Sequence, residues 1–186
     1  MVNPWKIKQA ADVVVSGGII AYPTEAVYGL GCDPFNDMAV MRLLQLKHRA
    51  PEKGLILVAA TLDQLEPVIT IPNDEIRRKI SATWPGAVTW VVPARPGISP
   101  LLTGAHQSLA VRVSAHPVVQ ALCREIDQPL VSTSANLESG PPARSALAVR
   151  RIFNQQVDYI VHGTVNRAAN PTEIRDALTG RILRPA

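Results

Sequence analysis

The chain has 186 residues, 47% of them hydrophobic and 18% charged, which suits one domain with a substantial apolar core and excludes an intrinsically disordered chain. Its two cysteines, Cys32 and Cys123, exclude a disulfide framework or a CxxC metal knuckle and read as buried thiols in a reducing cytosol. Net charge is +4, a bias toward polyanions only if the cations cluster; residues 1–8 lack the apolar core of a secretory signal and no apolar run approaches a membrane span, so a cytoplasmic, membrane-free protein is expected.

Aromatic residues are only 4% while prolines number 16, so the core is expected to consist of Val, Ile, Leu and Ala with proline-pinned turns, as in an α/β or α+β protein. Asn3 and Pro4 form an N-cap and N1 pair, and Ile7, Ala10, Ala11, Val14 and Val15 recur at helical spacing, predicting a helix over 4–16. The apolar run 19–22 predicts a buried strand ended by Pro23, which has no N–H for a ladder, with a turn through Thr24 and Glu25. Asp37 is expected to cap a second helix with the stripe Val40, Met41, Leu43, Leu44 and Leu46, closing on Lys47-His48-Arg49 before Pro51. Strand, helix and strand follow at 55–58, 74–82 and 87–92, the last two separated by a Trp84-Pro85-Gly86 turn. Leu109, Val111 and Val113 alternate with Ser108, Ala110, Arg112 and Ser114, a period of two that turns Arg112 away from the hydrophobic layer. A helix over 117–125 leads to a strand at 129–132 that runs into Thr133-Ser134-Ala135-Asn136. A helix over 145–153, a strand at 158–161 and a hairpin pairing 173–175 with 181–184 complete the chain, without repeats or linkers.

There is no G-x-x-x-x-G-K-[ST], and Gly29-Leu30-Gly31 lacks the third glycine of a dinucleotide fingerprint. No H-E-x-x-H and no Cys/His metal spacing occurs, so no metal held by protein ligands is expected, and no Ser/His/Asp order or activated cysteine points to covalent catalysis. Lys47, Arg49 and Lys53 put three cations in one short stretch, suited to phosphates, although basic side chains at a helix end also offset its dipole. Ser132, Thr133, Ser134 and Asn136 gather compact donors at a strand end, where a turn-forming polar cluster is the other reading. Thr24, Glu25, Tyr28 and the glycines 29 and 31 also follow a strand end, the usual place for ligands in open sheets. Arg112 reads equally as a carboxylate or phosphate clamp and as a salt-bridged sheet arginine; the four histidines, without mutual spacing, read as surface or capping residues. Spacing alone reaches an anion-binding α/β domain.

Taken together, Tyr22-Pro-Thr-Glu-Ala-Val-Tyr-Gly-Leu-Gly31, Leu46-Lys-His-Arg49, Lys53-Gly-Leu-Ile-Leu57, Trp84-Pro-Gly-Ala-Val-Thr89, Leu109-Ala-Val-Arg112 and Ser132-Thr-Ser-Ala-Asn136, closed by Asn170-Pro-Thr-Glu-Ile-Arg-Asp176, closely resemble the YrdC/TsaC family in order and interval over nearly the whole chain. The resemblance implies an α+β fold, one domain over 1–186, with a twisted mixed sheet and flanking helices around an open basic cavity. It implies formation of threonylcarbamoyl-AMP and pyrophosphate from L-threonine, bicarbonate or CO2, and ATP with Mg²⁺, a nucleotidyl transfer that feeds the transferase complex modifying adenosine 37 of transfer RNA. The family's K-x-R and S-x-N elements fall on Lys47, Arg49, Ser134 and Asn136. By that register Lys47 and Arg49 are the catalytic candidates, while Arg49, Lys53, Thr89, Ser132, Ser134 and Asn136 are expected at ATP and Thr24 and Arg112 at threonine.

Two departures stand out. Lys53-Gly54-Leu55-Ile56-Leu57-Val58 occupies the place where longer, two-domain relatives read N-P-L-x-x-H, so Val58 replaces a histidine that contacts threonine. Ser139-Gly140 follows the S-x-N element one residue later than in the family pattern. The competing readings are a module that binds transfer RNA or double-stranded RNA through its basic cavity, and a paralogue that kept the fold without the synthase activity.

Overall fold

The computed structural model describes residues 3–137, 140–165 and 172–185. Among them, nine strands form one mixed sheet in the order β7 (Tyr159–Ile160), β1 (Ile20–Pro23), β2 (Tyr28–Gly31), β6 (Leu130–Ser134), β3 (Ile56–Ala59), β5 (Ser108–Val113), β4 (Val88–Pro93), β8 (Glu173–Asp176) and β9 (Ile182–Arg184). The pairs β7–β1, β3–β5 and β4–β8 are parallel and the others antiparallel, giving the mixed α+β architecture expected. The helices are α1 (Pro4–Val15), α2 (Asp37–Leu46), α3 (Asp74–Ser81), α4 (Pro100–Thr103), α5 (Pro117–Glu125) and α6 (Ala146–Phe153), with a 3₁₀ turn at Pro51–Lys53.

One sheet face is fully covered. Leu57, Trp90, Val111 and Val131 pack with Val40 and Leu43 of α2, Ile80 of α3, and Val149 and Phe153 of α6. The opposite face is covered only in part: Ile20, Tyr22, Val58 and Leu130 meet Ile7, Ala10 and Val14 of α1 and Val119, Leu122 and Cys123 of α5. Each large apolar side chain so buried contributes about 1.5–3 kcal/mol of transfer free energy, which makes the sheet a rigid platform. Where α1 and α5 end, Val91, Ala110, Arg112 and Ile174 on the same face line a cavity instead of a core. The alternation along β5 fixes that division, since Leu109, Val111 and Val113 enter the core and Arg112 takes the other side.

Several expectations need correction. The cap of α2 is Asn36, whose side chain accepts from the N–H of Ala39, while Asp37 is the first helical residue, where its charge complements the dipole. Pro23 does not end the strand before itself but is the last residue of β1, paired with Tyr28; a terminal position needs no donor from it. Residues 28–31, for which no strand was expected, form β2, and β6 extends two residues beyond Ser132 to Ser134. Asn170 of the closing motif and Ser139 of the displaced Ser-Gly lie outside the described residues. Among the described residues no helix is long and apolar enough to cross a membrane.

The segment carrying Arg49 and Lys53 is held by the turn after α4. The N–H of Leu55 donates to the carbonyl of Leu102 at 2.9 Å and that of Ala105 to the carbonyl of Glu52 at 3.1 Å. Between them Gly104 has φ 65° and ψ −138°, and a Cβ there would lie 2.4 Å from the Glu52 oxygen. A backbone region open in practice to glycine alone and a backbone clash combine, so Gly104→Ala is expected to cost about 1–3 kcal/mol or more, read as a lower urea midpoint at unchanged m-value. An unchanged midpoint would mean that this turn does not clasp the segment.

Candidate active site

The cavity holds about 590 Å³, within the roughly 300–1,000 Å³ of small-molecule sites. Most of its polar wall comes from the β1–β2 turn with Thr24, the segment after α2 with Arg49 and Lys53, the β6 end with Ser132, Thr133 and Ser134, and the β5–β4–β8–β9 face with Arg112, Thr172, Asp176 and Arg184, while Leu102 and Thr103 of α4 also line it. Four cations, Arg49, Lys53, Arg112 and Arg184, thus line the cavity against one carboxylate, Asp176. The modest net charge of the chain is concentrated here, which makes the cavity a receptor for anions.

Arg49 leaves the end of α2 and bends back, donating from Nε and Nη2 to the Gly54 carbonyl at 3.2 and 2.8 Å. That clamp shapes the loop that carries Lys53. Thr24, which lines the cavity, donates from Oγ1 to the Val27 carbonyl at 2.7 Å inside the hairpin turn, so its side chain is held in a fixed position.

Of the expected site residues, Thr24, Arg49, Lys53, Arg112, Ser132 and Ser134 are brought together on the wall, whereas Lys47, Thr89 and Asn136 do not line it. Lys47 is the C-cap of α2 and only 6% exposed. Its Nζ donates to the carbonyls of Ser134 and Asn136 and, at 3.4 Å, to Asn136 Oδ1. Asn136 in turn accepts from Ser134 Oγ at 2.5 Å and donates from Nδ2 to the carbonyls of Leu137 and Gly140 at 2.9 Å each. Neither the dipole nor a turn-forming role accounts for this, because the lysine crosses to another strand to pin a polar loop. Burial, with the Arg49 charge adding, lowers its ammonium to about 8. Thr89 is fully buried behind the wall, its hydroxyl 3.4 Å from that of Thr172.

Arg112 is 5% exposed and enters a polar network that its sequence position only half reveals. Its Nη1 donates to Thr172 Oγ1 at 2.7 Å, and its Nη2 lies 3.3 Å from Glu25 Oε2. Ser114 donates from Oγ to Glu25 Oε1 at 2.6 Å and accepts from the His116 N–H at 3.1 Å. The clamp and salt-bridge readings of Arg112 therefore coexist: the guanidinium is ion-paired on one side and borders the cavity on the other. Arg184 donates from Nη2 to the Thr172 carbonyl at 2.8 Å, and burial followed by the nearby Arg112 charge lowers its guanidinium below the ordinary arginine value. His116 caps α5: Nδ1 accepts from the Val118 N–H at 3.3 Å, which leaves Nε2 to donate to the Thr164 carbonyl at 3.3 Å. Burial holds its imidazole below the ordinary histidine value, so it is neutral.

Val58 is fully buried against α5 and pairs in register with Arg112, so the residue at the position expected to be histidine in longer, two-domain relatives supplies packing beside the arginine. Cys32 and Cys123 are both buried, and burial pushes both thiols up to about 12, which leaves them unreactive. The sequence placed Glu25 in a strand-end cluster suited to ligands, whereas Ser114, Thr172 and Arg184 carried no expected role. For Ser114 the signal was present, since it lies two residues beyond Arg112 on the same face of the chain; for the others it was not, because their partners are far away in sequence.

The Sua5/YciO/YrdC family model, described as "Telomere recombination", matches residues 12–186. Over 185 residues the chain is 51% identical to the threonylcarbamoyl-AMP synthase of Cellvibrio japonicus (strain Ueda107), covering 99% of this chain and 97% of that one. It is 48% identical over 180 residues to the threonylcarbamoyl-AMP synthase of Nitrosococcus oceani, covering 97% of each. Among solved structures, P. abyssi Sua5 complexed with L-threonine matches at a TM-score of 0.93 and 30% identity over 100% of this chain, which spans only 55% of that one. E. coli YciO matches at 0.81 and 27% identity, over 94% of this chain and 84% of that one. Full-length HypF in its phosphate- and nucleotide-bound form, at 17% identity and a TM-score of 0.79, shares the fold alone.

Proposed function

Because the chain belongs to the Sua5/YciO/YrdC family, we propose that it is an enzyme forming threonylcarbamoyl-AMP from L-threonine, bicarbonate or CO2, and ATP, with the 590 Å³ cavity as the place of reaction. The observation that carries the reading is the convergence on one wall of Arg49, Lys53, Arg112, Ser132 and Ser134, drawn from distant parts of the chain. The identity to synthases over nearly the full length supports the choice of chemistry.

The threonine amine adds to CO2 to give a carbamate, a proton leaving the nitrogen. One carbamate oxygen then attacks the α-phosphorus of ATP, and the bond to the bridging oxygen breaks to release pyrophosphate. No covalent enzyme intermediate is needed, so the protein supplies position and charge, the two factors that govern phosphoryl-type transfer. Arg49 and Lys53 face the triphosphate, where two fixed cations offset charge moving onto the leaving pyrophosphate. Ser132 and Ser134 offer hydroxyls to the nucleotide, and Lys47 with Asn136 holds the strand end that presents them. Arg112 receives the threonine carboxylate and Thr24 the rest of the amino acid. Bound to ATP, Mg²⁺ would offset phosphate charge beside Arg49 and Lys53; the described residues include no cluster of three or more His, Cys, Asp or Glu that could hold a metal.

This assigns the chain to nucleotidyl transfer in the cytoplasm, upstream of a transferase complex that places the threonylcarbamoyl group on transfer RNA. Incubation with ATP, Mg²⁺ and bicarbonate, with and without L-threonine and with L-serine as control, tests it. Pyrophosphate release that depends on threonine is expected. Folded protein that releases none, yet binds RNA with a steep salt dependence, would replace the synthase by the RNA-binding module.

A further inference from the structure

We propose that Glu25 is the positioning and charge-setting residue for the amino-acid subsite: it fixes the guanidinium of Arg112 and offsets its charge, so that this end of the cavity suits a monoanionic carboxylate better than a phosphate. The proposal rests on the assignment of Arg112 to the threonine carboxylate made above.

Glu25 sits in the β1–β2 turn just behind the wall, between Thr24 and Ala26, both of which line the cavity. Its side chain is 7% exposed and that of Arg112 is 6%, so each would be an uncompensated buried charge without the other. The pair is nevertheless slack. The contact is a single 3.3 Å approach of Nη2 to Oε2, and both Arg112 Nε and Glu25 Oε2 lack a hydrogen-bond partner among the described residues. A purely structural arginine would be expected to close the bidentate fork. Here Thr172 takes Nη1 and Glu25 takes one side of the group, leaving donor capacity beside the cavity.

Glu25 itself is not free to follow Arg112. The Ser114 hydroxyl donates its only proton to Oε1 at 2.6 Å while accepting from the His116 N–H at 3.1 Å, so its orientation is determined from both sides. His116 is anchored as the cap of α5, and Gln120 of the same helix donates to the Ser114 carbonyl at 3.1 Å. The chain of contacts runs from a rigid helix N-terminus to the arginine.

The charge argument is independent of that geometry. Arg112 and Arg184 share this end of the cavity, and together they would hold a phosphate oxyanion at least as well as a carboxylate. Glu25 offsets the charge of one of these two guanidinium groups, and Asp176 of the same wall adds a second carboxylate. A second phosphate group is then no longer favoured there, and ATP is left to the Arg49 and Lys53 side. Specificity of this kind depends on what the site disfavours as much as on what it binds.

The test is steady-state kinetics of Glu25→Gln against both substrates, beside Ser114→Ala, which keeps every charge while removing the hydroxyl that holds the carboxylate and accepts from the His116 N–H. Glu25→Gln is expected to raise the KM for L-threonine about 10-fold and Ser114→Ala to raise it by a smaller factor, with the KM for ATP lowered or within about twofold. Inhibition by free pyrophosphate against threonine should strengthen in Glu25→Gln and not in Ser114→Ala. Equal changes in both KM values, or an unchanged threonine KM in folded Glu25→Gln, would overturn the proposal. If Glu25→Gln fails to fold by circular dichroism, Ser114→Ala decides, and an unchanged threonine KM there overturns it. Wild-type protein without threonine-dependent turnover would instead sink the synthase reading on which the proposal stands.

Discussion

Lys47→Met is expected to lower threonine-dependent pyrophosphate release by about 10²-fold, although Lys47 does not line the cavity, by analogy with loss of one preorganised donor. Its ammonium has three protons, and the carbonyls of Ser134 and Asn136 together with Asn136 Oδ1 provide three acceptors. Methionine matches the length of the stem and supplies no donor. Buried oxygens left unpaired cost about 1–3 kcal/mol each, and the chain avoids that cost by moving the 134–136 segment toward water, carrying Ser134 off the wall. The same geometry sets a pH dependence. Below about 8 the ammonium is protonated and all three acceptors are served; as pH rises through about 8 a proton is lost and one acceptor with it. The kcat/KM for ATP should therefore fall on the alkaline side with an apparent pKa near 8, and that limb should be missing from Lys47→Met. A folded Lys47→Met enzyme with unchanged turnover would show that the 134–136 segment is indifferent to the reaction.

Why the lysine could be placed near the site from the sequence, but not its role, is a matter of distance along the chain. Lys47 and the oxygens it serves are 87 and 89 residues apart, and a one-dimensional pattern holds no information about such a pair. Local signals were legible where the physics is local. The Asn3-Pro4 cap gave α1, and α5 spans the expected residues 117–125. The alternation in β5 gave the direction of Arg112. β2 was missed because two of its four residues are glycines, which disfavour strands on propensity alone. The tertiary structure demands one of them, since a Cβ at Gly31 would lie 2.4 Å from the Val131 carbonyl oxygen. The neighbouring β6 thus imposes glycine on a strand that propensity reads as a loop. The two strand-end clusters read as separate candidates line one cavity, because β2 and β6 are paired through Gly29 and Ser134.

Arg112→Ala should be the most damaging single change at the cavity, for stability and for threonine alike. Removing the guanidinium leaves the Glu25 carboxylate buried with the Ser114 hydroxyl as its remaining hydrogen-bond donor, and breaking a buried pair from one side costs about 3–5 kcal/mol. It also removes the donors proposed for the amino-acid carboxylate, so the KM for L-threonine should rise by about 10² or more in whatever fraction folds. The two effects can be separated. In Arg112→Met with Glu25→Gln both charges are gone and the volume is nearly kept, and such exchanges are often neutral for stability. The double variant should regain most of the urea midpoint lost by Arg112→Ala while its threonine KM stays high. Recovery of both would make the ion pair structural and move the carboxylate to another cation, with Arg184 the nearest alternative on the wall. Recovery of neither would mean that the guanidinium stabilises the fold mainly through Thr172 and the β8 edge, and the Thr172→Val variant would then reproduce the loss.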